Sequence, residues 1–462
     1  MRTTRHALAV WFAALILPSL TTAQAAGQPP AGLVTCSDLT VDIKGTPIWV
    51  EHLKQTCPEN APAWFKNNAS NNLEVNIAAL ACANPCKLAI HLKEPAGSLA
   101  VRPKHARIAV TGKERDWVLE LPGPCKLYVG IGSLPPLLVF ADPPEPRESP
   151  DQAKTQVFGP GVHTPGLITL EENDQVCLAP GAVVYGGFRG SPRNAKVFGR
   201  GILDGSKLST SMVRLDRASH VLFEGIVMRC GRNWQNTLQN CDDVTYRNVK
   251  VLSFVPYGDG IDPVCSRSIR IENGFFRCSD DCIAVKGMKG GPRVSGIVVQ
   301  DCVMAGYNFS DGFTVGFEAD TESMEGIAVR NCDILYARGA NMVGQHSAFS
   351  IICDGPAVIR DVTFEDIRVE ENVAQMFELN VTSGAIYAKA PPGHIRNVRL
   401  KNIQWETAKP LLIRGHDKDH LVEDVVFEGC RVAGHSLSSA QIQANEFVKG
   451  IVVRQTEHQE KP

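Results

Sequence analysis

Eight short segments of this chain are built alike: alternate apolar residues, then Asn, Asp or Gly, then a second apolar run. They read HVLFEGIVM, DVTYRNVKV, SIRIENGFF, GIVVQDCVM, GIAVRNCDI, DVTFEDIRV, NVRLKNIQW and DVVFEGCRV. The shared polar position falls at Gly225, Asn248, Asn273, Asp301, Asn331, Asp366, Asn402 and Gly429, at spacings of 23 to 36 residues. VCLAPGAVVYGG and VFGRGILDG supply earlier turns of the same kind. Such a unit is too short and too strand-rich for helical repeats, and it lacks the leucine signature of a horseshoe. The period predicts an all-β chain dominated by a right-handed parallel β-helix, whose coils stack at about 4.8 Å and line up like side chains in ladders. At the turn of each coil, Asn tolerates left-handed backbone and caps carbonyls. Cys302, Cys332 and Cys430 follow the shared position directly and are expected to be small core residues rather than ligands.

The stretch before the repeat has a different rhythm. Runs such as LTVDI, KLAIHL, WVLEL and LLVF alternate with Pro, Gly and Asn clusters from residue 32 to residue 142, which predicts a small antiparallel β-sandwich. The proline-rich, charged segment 143–154 reads as a linker, leaving 155–455 for the β-helix. Residues 1–25 have the order of a signal peptide. Arg2 and Arg5 precede the apolar run Ala7 to Leu17, and Ala23-Gln24-Ala25 offers a cleavage site. That run is too short to span a bilayer. The expected location is therefore secreted or periplasmic. A formal net charge of −2 argues against nucleic-acid and polybasic membrane-surface partners.

The fifteen cysteines suit an oxidising compartment and form no zinc pattern. Cys82-Ala83-Asn84-Pro85-Cys86 is expected to close a short disulfide loop, and the odd total leaves at least one thiol unpaired within the chain. Asn68, Asn308 and Asn380 begin glycosylation sequons.

Chemistry is concentrated in YGDGIDPVCSRSIRIENGFFRCSDDCIAVK, from Tyr257 to Lys286. Asp259 and the pair Asp280-Asp281 occupy equivalent stretches of successive repeats, so the β-helix brings three carboxyls to one face. Like charges that close push at least one pKa upward and leave a protonated acid beside ionised neighbours. Acid–base cleavage of a glycosidic bond needs such a set. Adjacent residues of a regular strand point to opposite sides, so Asp280 and Asp281 can share the cleft only where the strand bulges or ends. Asp262 and Lys286 belong to the same motif. The first is expected at a turn or sugar hydroxyl, the second against a carboxylate or a sugar oxygen.

GDGID followed by SDDCIAVK resembles the NTDGID and DDC-(V/I)-A-(V/I)-K blocks of the polygalacturonases, glycoside hydrolase family 28. The two-part layout, with LAPGAVVYGGF opening the β-helix, is similar to the dextranase and isopullulanase family, number 49, of the same clan. The resemblance implies inverting hydrolysis without a cofactor. Asp280 would be the general acid, and Asp259 and Asp281 would polarise the attacking water. Two departures from the polygalacturonase pattern stand out. Ser310-Asp311-Gly312 replaces Gly-His-Gly, and the Arg-Ile-Lys block that binds uronate carboxylates is absent, with GQHSAFSIICDG in its region. A uronate site normally needs paired cations, so a neutral polysaccharide or oligosaccharide is the expected substrate. Asn233, Trp234, Asp311, Glu318 and His346 are the further candidates for sugar contact, with Trp234 as a stacking platform. Three alternatives remain open: a polygalacturonase using Arg232, Arg293 or Lys289, a lyase, and a glycan-binding β-helix without catalysis. A monomer is expected.

Overall fold

The computed structural model describes residues 29–30, 32–68, 73–145, 155–307, 309–337, 347–370, 375–383 and 390–455. The expected signal peptide, most of the linker, His346 and the sequon residue Asn308 lie outside the described residues.

Two five-stranded sheets come first. Leu39, Val41, Leu88, Ile90 and Leu119 of one face Leu127, Val129, Leu137 and Val139 of the other, making the sandwich core. The sandwich is not wholly antiparallel, because strand Leu134–Asp142 runs parallel to Leu73–Ala81. The central run of that strand, LLVFA, is apolar without alternation, as suits burial on both faces. Leu137 and Val139 point into the sandwich, whereas Leu138 and Phe140 join a second core shared with Leu252, Phe254, Phe275 and Leu335 of the β-helix. One sheet of the sandwich therefore docks on the flank of the β-helix. A short helix, Ala63–Asn68, sits in the same contact.

From Thr155 onward the chain winds into a parallel β-helix with one 12-stranded and one 21-stranded sheet among the described residues. All eight shared positions of the repeat are left-handed: Gly225 at φ 83°, Asn248 at 54°, Asn273 at 51°, Asp301 at 56°, Asn331 at 47°, Asp366 at 56°, Asn402 at 55° and Gly429 at 63°. These residues turn the coil from one sheet to the other. Asn331 Nδ2 donates to Asp301 Oδ1 at 2.7 Å and Asn402 Nδ2 to Asp366 Oδ1 at 2.9 Å, so the ladder is also bonded from coil to coil. Cys302, Cys332 and Cys430 are buried in the core, as the repeat implied.

The disulfide expected at Cys82 and Cys86 is not formed in this structure. Their Sγ atoms are 3.3 Å apart, beyond the roughly 2.05 Å of an S–S bond, and all fifteen cysteines are thiols. Among the described residues no helix is long and apolar enough to cross a membrane.

Candidate active site

The acidic residues are set by the coil register. Backbone bonds run from Gln235 N to Asp259 O, from Gly260 N to Asp281 O, from Cys282 N to Asp311 O and from Gly312 N to Ala348 O, all within 2.8–3.0 Å. Trp234, Asp259, Asp281 and Asp311 consequently occupy one rung position on successive coils, just before the strands Asn236–Gln239, Ile261–Val264, Ala284–Gly287 and Phe313–Ala319. Rungs this close leave no room between coils. A Cβ at Gly260 would lie 2.3 Å from Cys282 O, so only glycine fits beside Asp259.

Asp280 and Asp281 fall after strand Phe275–Arg277 has ended and before Ala284–Gly287 begins. The strand ends there, which releases the pair from alternation. Asp281 is buried and accepts from Asp311 N at 2.9 Å through Oδ1, whereas Asp280 is half-buried and faces outward. Asp280 Oδ1 accepts from Asp281 N at 3.1 Å.

Lys286 is buried at the centre of the group. Its Nζ lies 3.2 Å from Asp259 Oδ2, 3.2 Å from Glu318 Oε2 and 3.8 Å from Asp262 Oδ1, and 4.4 Å from the centre of the Trp234 ring. Burial lowers its pKa, but Glu318, Asp259, Asp262 and Asp281 more than offset this and hold the ammonium well above its ordinary value. The carboxyls respond in turn. Burial raises Asp259, with Lys286 opposing the rise. Burial and then the charge of Asp259 push Asp280 well above the usual carboxylate range. Asp281 is pushed up by burial, then by Asp311 and Asp280.

Asp262 has no exposed surface, so a sugar contact is closed to it. As two carboxylates, Asp259 and Asp262 have no hydrogen between them, and both Asp262 oxygens then lack a donor. Burial and the charge of Asp259 raise its pKa well above the carboxylate range, and a proton shared between the two carboxyls supplies the missing bond. Asp311 is likewise buried. It accepts from Ser347 N at 3.0 Å and from Ser350 Oγ at 2.5 Å, which fixes it as a bracket between coils at the position where the resemblance led one to look for histidine. Asn233 is exposed and left-handed at φ 51°, and Trp234 is half-buried with one ring face against Lys286. Tyr257, two residues before Asp259, is a 43% exposed aromatic that was not among the sugar-contact candidates. Its signal was its place in the acidic motif.

Comparison with curated proteins yields no match. Among solved structures, Dex49A from Penicillium minioluteum superposes with a TM-score of 0.67 at 14% identity, covering 93% of this chain and 96% of that one. An exopolygalacturonase from Thermotoga maritima gives a TM-score of 0.50 at 18% identity, over 66% of this chain and 85% of the other. At these identities the likeness speaks for the fold. The family description "Glycosyl hydrolases family 28" matches residues 199–451, the span that carries every acidic residue described above. With more than half of its length matched, the chain belongs to glycosyl hydrolases family 28.

Proposed function

We propose that this glycosidase is an exported, inverting hydrolase of a neutral polysaccharide such as an α-glucan. Asp280 is the general acid: it is the half-exposed member of the set, and burial beside Asp259 keeps its proton on. Asp259, held toward its ionised form by Lys286, polarises the attacking water together with Asp281. The proton on Asp280 passes to the glycosidic oxygen as that bond breaks. The water adds to the anomeric carbon from the opposite face and gives its proton to the base.

The observation that carries the neutral substrate is the engagement of Lys286. The cation felt by these carboxyls is already shared among Asp259, Glu318 and the Trp234 ring, so it has no free valence for a uronate. Trp234 and Asn233 at the rim then offer a stacking face and a hydroxyl partner. Export rests on the basic, apolar and small-residue order of residues 1–25, and the division at 32–142, 143–154 and 155–455 on the change of rhythm between the segments. A monomer fits the burial of the sandwich's outer apolar face within the chain itself.

Galacturonan hydrolysis is the second reading. The family match favours it, and so does exposed Arg232, which precedes Asn233 in the chain and whose Nε donates to Leu208 O at 2.8 Å. The two are separated by incubating the purified protein with neutral α-glucans, galactans, arabinans and galacturonan and following the product anomer by NMR. Cleavage of a neutral polymer with inversion is expected. Turnover of galacturonan alone would replace the substrate assignment, a retained anomer would remove the mechanism, and unsaturated products would mark a lyase.

A further inference from the structure

The three loops that carry Asp259, Asp280 and Asp311 are bonded to one another. The loop 253–260 is tied to its neighbour by Ser279, whose Oγ accepts from Val255 N at 3.0 Å and donates to Val255 O at 2.8 Å. Phe309 N donates to Ser279 O at 3.1 Å, and Tyr307 OH donates to Ser253 O at 2.5 Å. Ser279, the residue immediately before Asp280, thus joins the two flanking loops. Phe254 and Tyr307 of the flanking loops stack at 5.7 Å between ring centres, in the apolar cluster shared with the sandwich.

What covers those rings comes from the sandwich. Phe65, on the helix Ala63–Asn68, is fully buried and meets Phe254 at 5.5 Å and Phe309 at 5.9 Å between ring centres. One side chain therefore touches the loop of Asp259 and the loop of Asp311 at once, and through Ser279 it bears on the loop of Asp280. The helix beneath it is a single turn and a half, fastened by Phe65 N and Lys66 N donating to Pro62 O at 3.0 and 3.1 Å. Elsewhere the interface is built differently. Phe140 packs on Phe275 at 5.2 Å, which lies in a regular β-helix strand and not in a loop.

We propose that Phe65 is a positioning residue for catalysis, and that the sandwich is a working part of the active site because it supplies this wedge. It rests on the assignment of Asp259, Asp280 and Asp281 as the reacting groups. The arrangement converts packing between two regions into loop geometry, where an error of about 1 Å in an acid or base costs on the order of 10²-fold in rate. Nothing in the sequence joins Phe65 to an aspartate almost two hundred positions later; the contact exists only in the fold.

The test compares full-length wild type with Phe65→Ala, Phe65→Leu and Phe140→Ala. Amide hydrogen exchange is read on peptides spanning 253–260, 278–283 and 306–312, and turnover is measured on whichever glycan the screen shows to be cleaved. Phe65→Ala should speed exchange in all three loops and lower kcat by about tenfold or more, with KM within about threefold, and Phe65→Leu should recover most of both. Phe140→Ala should lower the melting temperature by a comparable amount yet leave loop exchange and kcat close to wild type. If Phe65→Ala leaves the loops protected, or Phe140→Ala disturbs them equally, the wedge is refuted. Should Phe65→Ala fail to fold, Phe65→Leu against Phe140→Ala decides on the same criteria. Should wild type cleave none of the glycans, the hydrolytic reading fails, while the exchange data still decide whether Phe65 orders the loops.

Discussion

At the scale of single residues, the site is a contest between six carboxyls and one ammonium. Lys286 touches Asp259 and Glu318 directly and opposes the rise at Asp259, whereas burial and like charge push Asp262 and Asp280 well above the usual carboxylate range. Removing the acid should be decisive. Asp280→Asn is expected to lower kcat by about 10²–10⁴-fold while glycan binding and melting temperature stay near wild type, and a fully active variant would end the assignment. Asp262 makes a separate prediction. Its folded pKa lies above its unfolded value, so the stability it contributes is complete below the unfolded pKa and is lost as pH rises through the folded one. Asp262→Asn keeps a donor toward Asp259 and has no charge to bury. Its melting temperature should therefore gain on wild type as pH is raised from 5 to 9, and equal differences at both ends would contradict the shared proton. The sequence made Asp259, Asp280 and Asp281 visible because a repeat register can be counted. It did not separate Asp262 or Asp311 from true cleft residues, because burial depends on coils that are distant along the chain.

At the scale of the coil, more than one ladder of left-handed residues shapes the turns, and the sequence showed only the first. The first was legible because Asn, Asp and Gly recur at a fixed place between two apolar runs. The second lies inside what reads as one continuous alternating strand: His220, Asp243, Ser268, Gly296, Gly326, Asp361, Asn397, Asp424 and Gly450, all with φ between 53° and 71°. Its residue types are too mixed to signal a turn, and pairing passes through it in register, Ser219 with Asp242 and Val221 with Val244. The first ladder offers the cleaner test. Asn402 combines φ 55° with its bond to Asp366, so Asn402→Val should cost about 2 kcal/mol, since left-handed backbone alone disfavours a side-chain-bearing residue by roughly 1–2 kcal/mol. Asn402→Gly, which loses the bond and keeps the backbone, should cost less than half of that in urea denaturation. An equal loss in both variants would assign the stability to the hydrogen bond and not to the conformation.

For the molecule as a whole, the sandwich and the β-helix are joined by apolar packing studded with buried ion pairs. Arg229 of the β-helix is buried between Glu51 at 2.5 Å and Asp204 at 2.7 Å, and Arg102 of the sandwich meets Glu370 at 2.7 Å. Such pairs contribute little over a well-packed apolar contact, but removing one partner leaves the other charge stranded. Lys250 shows how that stranding can be read with pH. Its Nζ lies 2.5 Å from Asp142 Oδ2, and Gly225 O accepts from it at 3.3 Å. Burial brings its pKa down from 10.5 to about 7 despite the attraction of Asp142. Because the folded value lies below the unfolded one, the unfolded chain binds the extra proton between those pH values, and this lysine's contribution to stability grows as pH rises through them. Asp142→Asn takes away the partner of the ammonium, at a cost of about 3–5 kcal/mol where Lys250 is charged. At pH 9 the lysine is already neutral in the folded state, so most of that cost should vanish. The double variant Asp142→Asn with Lys250→Met should recover stability near pH 6 and show a flatter dependence than either parent. A penalty for Asp142→Asn that stays constant from pH 6 to pH 9 would mean that Lys250 keeps its proton throughout and that burial does not bring its pKa into this range.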